Sequence, residues 1–150
     1  MATEYTFAML KPGVLSRRIV GEILSRLERK GLKIVALKMM KMSGDLCERH
    51  YEEHRGKPFF QGLVNYMTSG PVLVLVLAGE SAVSVLRQLS GPTSPDQAPP
   101  GTIRGDYCIL TRKNVIHASD SKENADREIG LFFTKDEIHP WEDGNETWIS

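Results

Sequence analysis

The sequence predicts an α+β fold of the ferredoxin-like, or split βαβ, kind: a four-stranded antiparallel sheet with helices on one face, a long loop and a C-terminal tail. Segments of strand and helix character follow one another in the order β-α-β-α-α-β-α-β-α along 150 residues. The run from Val72 to Leu77 is apolar at every position, which is typical of a central strand. The chain suits one core and is too short for two ordinary domains, so residues 1–150 are predicted to form a single domain.

The first half of the chain changes between β-rich and helical patterns. Tyr5 to Leu10 is a short apolar strand, which Lys11-Pro12-Gly13 ends as a loop. Gly31 is a natural stop for the helix that follows, and Lys33 to Met42 has the loose alternation of a second strand. The apolar residues at helical spacing in the first helix are Ile19, Ile23, Leu24 and Leu27.

The chain continues with two short helices, which open at Ser43-Gly44-Asp45 and at Pro58. A helix from Gly79 to Leu89 follows the apolar run, and a loop rich in Pro, Gly and Ser extends from Ser90 to Gly105. Such a long structureless loop inside a compact domain usually has a function or forms an interface. The last elements are a strand ending near His117, a helix from about Lys122 to Phe132 and the tail.

The composition argues against several classes of partner. Lys plus Arg and Asp plus Glu both number 19, so no global field favours nucleic acid or an acidic membrane surface. The longest apolar run, Val72 to Ala78, is too short to cross a bilayer. Cys47 and Cys108 show no metal-ligand spacing and indicate a reduced protein with buried thiols. With no secretory leader visible, we expect a cytoplasmic protein without a membrane partner.

His117 lies at the junction between the last strand and the last helix. Ser119, Asp120 and Ser121 can each accept hydrogen bonds from the free N–H groups of a helix start. Asp120 and Glu123 have the spacing of a variant capping box. Anionic ligands tend to bind at such junctions, although a single histidine is more often structural.

Three basic residues could supply the positive charge of an anion site. Lys11 stands at the end of the first strand, where its ammonium could reach a phosphate or simply remain solvated. Arg87 and Arg104 bracket the long loop and would form a fork for phosphate oxygens if they converge. Arg87 as an ordinary surface charge is an equal alternative. The chain contains neither a P-loop nor a GxGxxG fingerprint.

Further candidates lie in polar or aromatic segments. Thr93 could give a hydroxyl to the same anion or be a turn residue. Two adjacent aromatic residues on one helix cannot both point toward the protein core. Phe59 or Phe60 could therefore be a stacking platform, although packing in the core is the favoured interpretation. His50, Tyr51 and His54 occupy a polar helix and are expected at the surface, and the spacing of the two histidines is a weak zinc motif.

The whole chain closely resembles nucleoside diphosphate kinases. The most specific stretch is Asn114-Val115-Ile116-His117-Ala118-Ser119-Asp120. The other matching stretches are Pro92-Thr93, Pro100-Gly101-Thr102-Ile103-Arg104-Gly105-Asp106, His50-Tyr51, Pro58-Phe59-Phe60 and Ser69-Gly70-Pro71-Val72. Since a chance match to all of them in order is very unlikely, the resemblance favours a catalytic over a structural His117.

The resemblance implies a ping-pong reaction. A nucleoside triphosphate, typically ATP, passes its γ-phosphate to His117, and the phosphohistidine then transfers it to a nucleoside diphosphate, which maintains the NTP and dNTP pools. Glu128 would fix the imidazole through its other nitrogen, and Ser119 would support that carboxylate. Lys11 and Tyr51 would face the transferring phosphate. Arg87, Thr93 and Arg104 would hold the remaining phosphates, with Mg²⁺ bound mainly by phosphate oxygens and water rather than by protein ligands.

The resemblance also assigns the nucleoside. Asn114 and Lys11 would reach the sugar hydroxyls, while Phe59, with Leu63 beside it, would stack on the base without reading its edge. Three departures from the family pattern stand out. Gly13 replaces an acidic residue, and Thr111 and Arg112 replace a small apolar residue and a glycine near the base. Thr111 would still pack against the base, and these changes affect nucleotide affinity more than catalysis.

The loop and the tail resemble assembly elements of the same family. Exposed Trp141 and Trp148 side chains would leave apolar surface in contact with water, so we expect them to dock onto a neighbouring subunit. We therefore expect a homo-oligomer, a hexamer built as a trimer of dimers or else a tetramer. An oligomeric binding protein that has lost activity is the alternative, but His117, Lys11 and Arg104 are all present. The sequence has neither the basic stripe nor the interleaved aromatic residues that are typical of nucleic-acid binding.

Overall fold

The computed structural model describes residues 3–149, apart from the side chains of Arg112 and Glu146. Four strands and seven helices alternate in the predicted order, with one additional short helix before the last strand and one in the tail. The strands are β1 (Glu4–Leu10), β2 (Lys33–Met40), β3 (Val72–Gly79) and β4 (Ile116–Ala118). The helices are α1 (Val20–Lys30), α2 (Gly44–His50), α3 (Phe60–Met67), α4 (Ala82–Ser90), α5 (Ile103–Tyr107), α6 (Lys122–Phe132) and α7 (Glu146–Ile149).

The sheet has the strand order β2-β3-β1-β4, and every neighbouring pair is antiparallel. This is the ferredoxin-like arrangement, and it confirms the predicted fold. Strand β1 lies inside the sheet, where Phe7 pairs with Val76 of β3 and Met9 pairs with His117 of β4. Pairing with β1 therefore places His117 beside the strand end from which Lys11 leaves the sheet.

Helices cover both faces of the sheet, and the predicted single covered face was wrong. Phe7 and Met9 of β1 pack into a core with α2, α3 and α6, whereas Ala8 and Leu10 pack into a second core with α1, α4 and α5. The physical reason is visible in β3, where the residues from Val72 to Ala78 are all buried. A strand that is apolar at every position exposes an apolar surface on each side, so each side must be covered.

Two glycines show local backbone requirements. Gly31 ends α1 in the left-handed conformation with φ +112, as the sequence predicts. Gly105 lies in the predicted structureless loop, which in fact contains a 3₁₀ turn over Pro95–Gln97 and the start of α5. A Cβ at Gly105 would meet the carbonyl oxygen of Pro99 at 2.0 Å, so α5 can fold against the loop only with glycine there.

The tail runs back toward the edge of the sheet formed by β2. The indole nitrogen of Trp141 donates a hydrogen bond of 3.0 Å to the carbonyl of Ile34. Trp148 is 86% exposed, and Ile149 is also exposed. Within residues 3–149, no helix is both long and apolar enough to span a membrane.

Candidate functional site

A cleft of about 1220 Å³ opens at the end of the sheet where β1 and β4 finish. It brings together every site residue predicted from the sequence except Ser119, which is fully buried behind the wall. The predicted residues that line it are Lys11, Tyr51, Phe59, Leu63, Arg87, Thr93, Arg104, Thr111, Asn114, His117 and Glu128. They come from five separate segments of the chain, which only the folded sheet unites.

His117 is held by a chain of polar contacts. Its Nε2 lies 2.8 Å from Oε2 of Glu128, and the Ser119 hydroxyl donates to Oε1 of the same carboxylate. Glu128 is nearly buried, while the His117 ring is partly exposed to the cleft. A carboxylate paired with Nε2 fixes the proton on that nitrogen, so the lone pair of a neutral imidazole lies on Nδ1. The arrangement presents a nucleophilic nitrogen without requiring a separate base.

The start of α6 differs from its predicted form. Ser121 is the N-cap, and its hydroxyl accepts a hydrogen bond of 3.1 Å from the backbone N–H of Asn124. Asp120 instead accepts from the Asn124 side chain at 2.5 Å, so the predicted capping box with Glu123 was wrong. The Asn124 hydrogen bond lowers the pKa of Asp120. Asp120 therefore presents an ionised carboxylate at the edge of the cleft.

His50 and Tyr51 are buried, which contradicts the expected surface placement; His54 is half-buried. Strand β1 and α6 cover the end of α2, so His50 packs against Phe7 and Phe132 and meets the His117 ring at 4.8 Å and 80°. Burial, followed by the charges of neighbouring groups, lowers the pKa of His50 to about 2, so this histidine is neutral. Burial likewise raises the pKa of Tyr51, whose hydroxyl therefore remains a donor.

Lys11 is buried at the floor of the cleft. Its ammonium donates to Oδ1 of Asn114 at 2.5 Å, and its backbone N–H donates to the carbonyl of Val115 at 2.8 Å. Burial, and then repulsion from Arg104, lowers the pKa of Lys11 to about 8. An anion entering the cleft would offset both effects, because it supplies a negative charge that favours the charged form of Lys11.

Arg104 is buried and supports the backbone around the cleft. Its guanidinium donates to the carbonyls of Gly91 at 2.6 Å, Asn114 at 3.2 Å and Ile116 at 2.5 Å. A guanidinium has five N–H donors, so two remain for a ligand. Arg87, in contrast, is exposed and makes one long contact of 3.4 Å to the carbonyl of Ala118. The two arginines do converge on the cleft: Arg104 is held by its hydrogen bonds, whereas the exposed Arg87 can change its conformation.

The backbone before His117 is strained. Val115 has φ +72, which is unusual for a β-branched residue, and the N–H of Ile116 donates to the carbonyl of Asn114 at 2.7 Å. These features form a γ-turn with a positive φ. Such strain persists only where surrounding contacts impose it, and here Lys11 and Arg104 bond to the turn and its flanks.

Aromatic and apolar groups form the outer part of the cleft. Phe59 is 52% exposed, while its neighbour Phe60 packs against the core. Of the two rings, that of Phe59 is therefore the one available for stacking, and the favoured interpretation of core packing does not hold for it. Thr111 begins a 3₁₀ turn in the cleft lining, and Leu63 lies on α3. The side chain of Arg112, the other predicted departure near the base, lies outside the described part of the chain.

Some cleft residues were missed by sequence reasoning. Tyr66 donates its hydroxyl to the carbonyl of Pro12 at 3.1 Å and so links α3 to the loop that carries Lys11. Arg127 and Lys113 add charge to the lining. Asn124, which also lines the cleft, lies about one helical turn before both Arg127 and Glu128 on α6. The helical spacing from Glu128 could therefore have identified the face of α6 that lines the cleft. No sequence signal identifies Tyr66, because its partner is distant in the chain.

The chain is similar to known proteins over nearly its whole length. A family model described as nucleoside diphosphate kinase matches residues 4–138. Nucleoside diphosphate kinase from Archaeoglobus fulgidus is 55% identical over 146 residues, which cover 97% of each chain. The enzyme from Saccharolobus solfataricus is 56% identical over 138 residues, covering 92% of this chain and 100% of the relative. A solved structure of the Halobacterium salinarum enzyme in complex with CDP has a TM-score of 0.96 at 45% identity and covers 99% of each chain.

Proposed function

Since the chain belongs to the nucleoside diphosphate kinase family, we propose that its phosphoryl transfer takes place in the cleft around His117. The activity itself is that of the family: a nucleoside triphosphate transfers its γ-phosphate to the enzyme, which then transfers it to a nucleoside diphosphate. The observation that carries the assignment of the site is the contact of 2.8 Å between His117 Nε2 and Glu128. It leaves Nδ1 as the nitrogen that attacks.

The reaction begins when the lone pair of His117 Nδ1 attacks the γ-phosphorus. The bond from phosphorus to the bridging oxygen breaks, and the nucleoside diphosphate leaves with that electron pair. The ring retains its proton on Nε2, and Glu128 stabilises the positive charge that develops there. Ser119 keeps the carboxylate in place through its buried hydroxyl. A second nucleoside diphosphate attacks the phosphohistidine to reverse these steps.

The cations of the cleft bind the phosphate chain. Lys11 and the partnerless hydroxyl of Tyr51, which finds no hydrogen bond among the described residues, serve the transferring phosphate. Arg87, Thr93 and the two remaining N–H groups of Arg104 serve the other phosphates. Because the transition state of phosphoryl transfer is loose, positioning and charge stabilisation account for most of the catalysis.

The nucleoside lies toward the outer part of the cleft. Asn114 and Lys11 bind the sugar hydroxyls, and their mutual hydrogen bond supports this shared task. The exposed ring of Phe59 stacks on the base, with Leu63 and Thr111 also lining the slot. A π-face is common to every base, so this slot accepts purines and pyrimidines alike.

The family's kinase activity needs a divalent metal, and we assign that role to Mg²⁺. The donor set fits an ion carried by the nucleotide: the cleft offers cations for phosphates and Asp120 as an ionised carboxylate at its edge. Mg²⁺ commonly binds through phosphates, waters and one or two carboxylates. When bound, it neutralises charge on the phosphate oxygens, and Asp120 is the residue that would reach it, directly or through water.

We also propose a homo-oligomer, a hexamer with a tetramer as the alternative, and a single cytoplasmic domain. Exposed apolar side chains support assembly: Ile109 is 90% exposed, and Trp148 is nearly as exposed. Both cysteines are free thiols, which agrees with a reducing compartment. Sedimentation equilibrium measures the assembly, and a monomer at micromolar concentration would contradict it.

The phosphoenzyme tests the proposed site. We expect the protein, incubated with Mg²⁺ and ATP labelled at the γ-phosphate, to acquire an acid-labile, base-stable label that GDP or CDP removes. His117→Ala should abolish the label. His139→Ala is the matched control, because His139 is exposed and outside the cleft lining. Label that persists in His117→Ala would refute the assignment, and absence of label in the parent chain would indicate an inactive binding protein.

A further inference from the structure

His50, one of the histidines that the proposed reaction does not use, has an unusual environment. Both of its ring nitrogens are buried and have no hydrogen-bond partner within the described residues. Its Nδ1 lies 3.7 Å from Oε2 of Glu128, and that same oxygen lies 2.8 Å from Nε2 of His117. A buried imidazole without partners is costly unless something else compensates it.

The three side chains form a donor set suited to a metal ion. Two imidazole nitrogens and one carboxylate oxygen lie within 4.8 Å of one another. Zinc bonds of about 2.0–2.2 Å in tetrahedral geometry separate neighbouring ligand atoms by roughly 3.4 Å, a value between the two distances to Glu128. We propose that His50, His117 and Glu128 form a zinc-binding site, and that zinc bound there inhibits phosphoryl transfer.

The chemistry of the donors selects zinc over the magnesium of the reaction. Mg²⁺ prefers oxygen ligands in octahedral geometry, whereas two histidines and a glutamate with an open position form a familiar zinc set. All three residues line the cleft, which gives the ion an entry path. The positive charges of Lys11 and Arg127 act on His50 and would oppose the charge of a bound zinc ion, which weakens its binding.

Inhibition follows from the nitrogen that zinc would occupy, and this step rests on the proposed role of His117. Zinc on Nε2 displaces the proton of that nitrogen, which moves through solvent to Nδ1. Nδ1 then carries a hydrogen and has no lone pair for the phosphorus. In the phosphoenzyme, conversely, Nδ1 is bonded to phosphorus and Nε2 keeps its proton toward Glu128. Because Nδ1 is occupied, zinc can bind Nε2 of the phosphorylated ring only if that proton is lost to solvent, so the phosphoenzyme should bind zinc more weakly than the free enzyme.

Direct binding provides the first test. Zinc chloride is titrated into the nucleotide-free full chain against a chromogenic chelator, and cobalt substitution reports the coordination by its visible absorption. We expect one ion per chain and a loss of affinity of at least about tenfold in His50→Gln and in His117→Gln. His54→Gln is the matched control, since His54 lines the same cleft outside the trio, and it should retain the parent affinity. Equal binding by the parent and His50→Gln would overturn the proposal.

The second test uses the phosphoenzyme, prepared with ATP and Mg²⁺ and freed of nucleotide before the titration. We expect its zinc affinity to fall at least about tenfold, comparable to the loss of one ligand. Unchanged affinity would refute this competition between zinc and the proton on Nε2. If the chain takes no label from ATP, the proposed function fails while the binding test still decides the zinc site. His117→Gln guards against misfolding of the His50 variant, because His117 is partly exposed.

Discussion

Ser119→Ala tests whether a residue that never meets the substrate sets the reactivity of His117. Ser119 is fully buried, and its hydroxyl donates to Oε1 of Glu128, whose other oxygen contacts His117. The Phe7 carbonyl lies 3.4 Å away and is a weaker acceptor than the carboxylate. Removing the hydroxyl leaves Oε1 of Glu128 without its partner in a site that water reaches poorly.

The expected magnitude follows from the burial of that carboxylate. A hydrogen bond to a charged group contributes about 1.5–3 kcal/mol, and an unpaired buried acceptor loses most of it. We therefore expect Ser119→Ala to lower the free energy of unfolding by about 2 kcal/mol. If about 1.4 kcal/mol of this interaction is also lost in the transition state, phosphoenzyme formation slows about tenfold.

Ser121→Ala is the matched control. Ser121 lies two residues further along, and its hydroxyl caps α6 by accepting from the N–H of Asn124. Its loss should lower the free energy of unfolding by about 1 kcal/mol, the usual contribution of an N-cap. Because Ser121 touches neither Glu128 nor His117 among the contacts of the described residues, the rate of phosphoenzyme formation should stay unchanged.

Two measurements separate stability from reactivity. Urea unfolding gives the free energy of each variant, and rapid-quench single-turnover experiments with labelled ATP give the rate of phosphoenzyme formation. A Ser119→Ala rate within about twofold of the parent, or a Ser121→Ala rate that falls as far, would refute the role of Ser119 as the support of Glu128.

Other parts of the cleft give further predictions. Burial lowers the pKa of Lys11 to about 8, below its ordinary 10.5, so the free enzyme loses this charge as the pH rises. We expect kcat/KM to fall above about pH 8, and Lys11→Arg to flatten that part of the profile because a guanidinium stays charged; a parent profile flat to pH 10 would contradict this. Phe59→Ala should raise KM for every nucleoside diphosphate by roughly 10-fold or more with kcat little changed, since stacking contributes about 1–3 kcal/mol per base; a large effect on one base alone would indicate edge recognition instead. Tyr66→Phe removes the hydrogen bond to Pro12 while keeping the ring, and a lost hydrogen bond of about 1 kcal/mol predicts a fall in kcat/KM of about fivefold. Steady-state kinetics at saturating ATP would disprove that role if the variant matched the parent.

The order of strands and helices along the chain and most of their ends could be predicted because they depend on neighbours in the sequence. Gly31 ends α1 through its own backbone freedom, and β3 lies at the centre because every position is apolar. The number of covered faces depends on where distant helices pack, and the pattern of each amphipathic helix does not say which face of the sheet it joins. The apolar run of β3 already indicated that both faces are covered, since a strand with one solvated face alternates between apolar and polar residues.

The surface prediction for His50 and Tyr51 failed for a related reason. Their neighbours Glu52, Glu53 and Arg55 are charged, so the segment reads as a solvated helix. Helix α2 ends at His50, however, and the 3₁₀ turn after it changes direction. The charged residues of this segment stay exposed, while His50 packs against Phe132 of α6 and Tyr51 is buried in the same core. A change of direction within five residues is a tertiary feature, and average polarity over the segment conceals it.

Arg104 shows the limit of predicting a site from residue types. Its position in the loop indicates an arginine that binds phosphate, and it does reach the cleft. Two of its donors, however, bind the backbone carbonyls of Asn114 and Ile116 on either side of Val115, the residue with the strained φ, and a third binds the carbonyl of Gly91. The guanidinium therefore holds the γ-turn that aims His117, and it offers an anion only the donors left over. A lysine at this position would retain the charge but has three donors on one nitrogen and could not span carbonyls of Gly91 and Ile116 together. The same side chain thus links backbone strain to ligand charge, and its two contributions can be separated only in the folded protein.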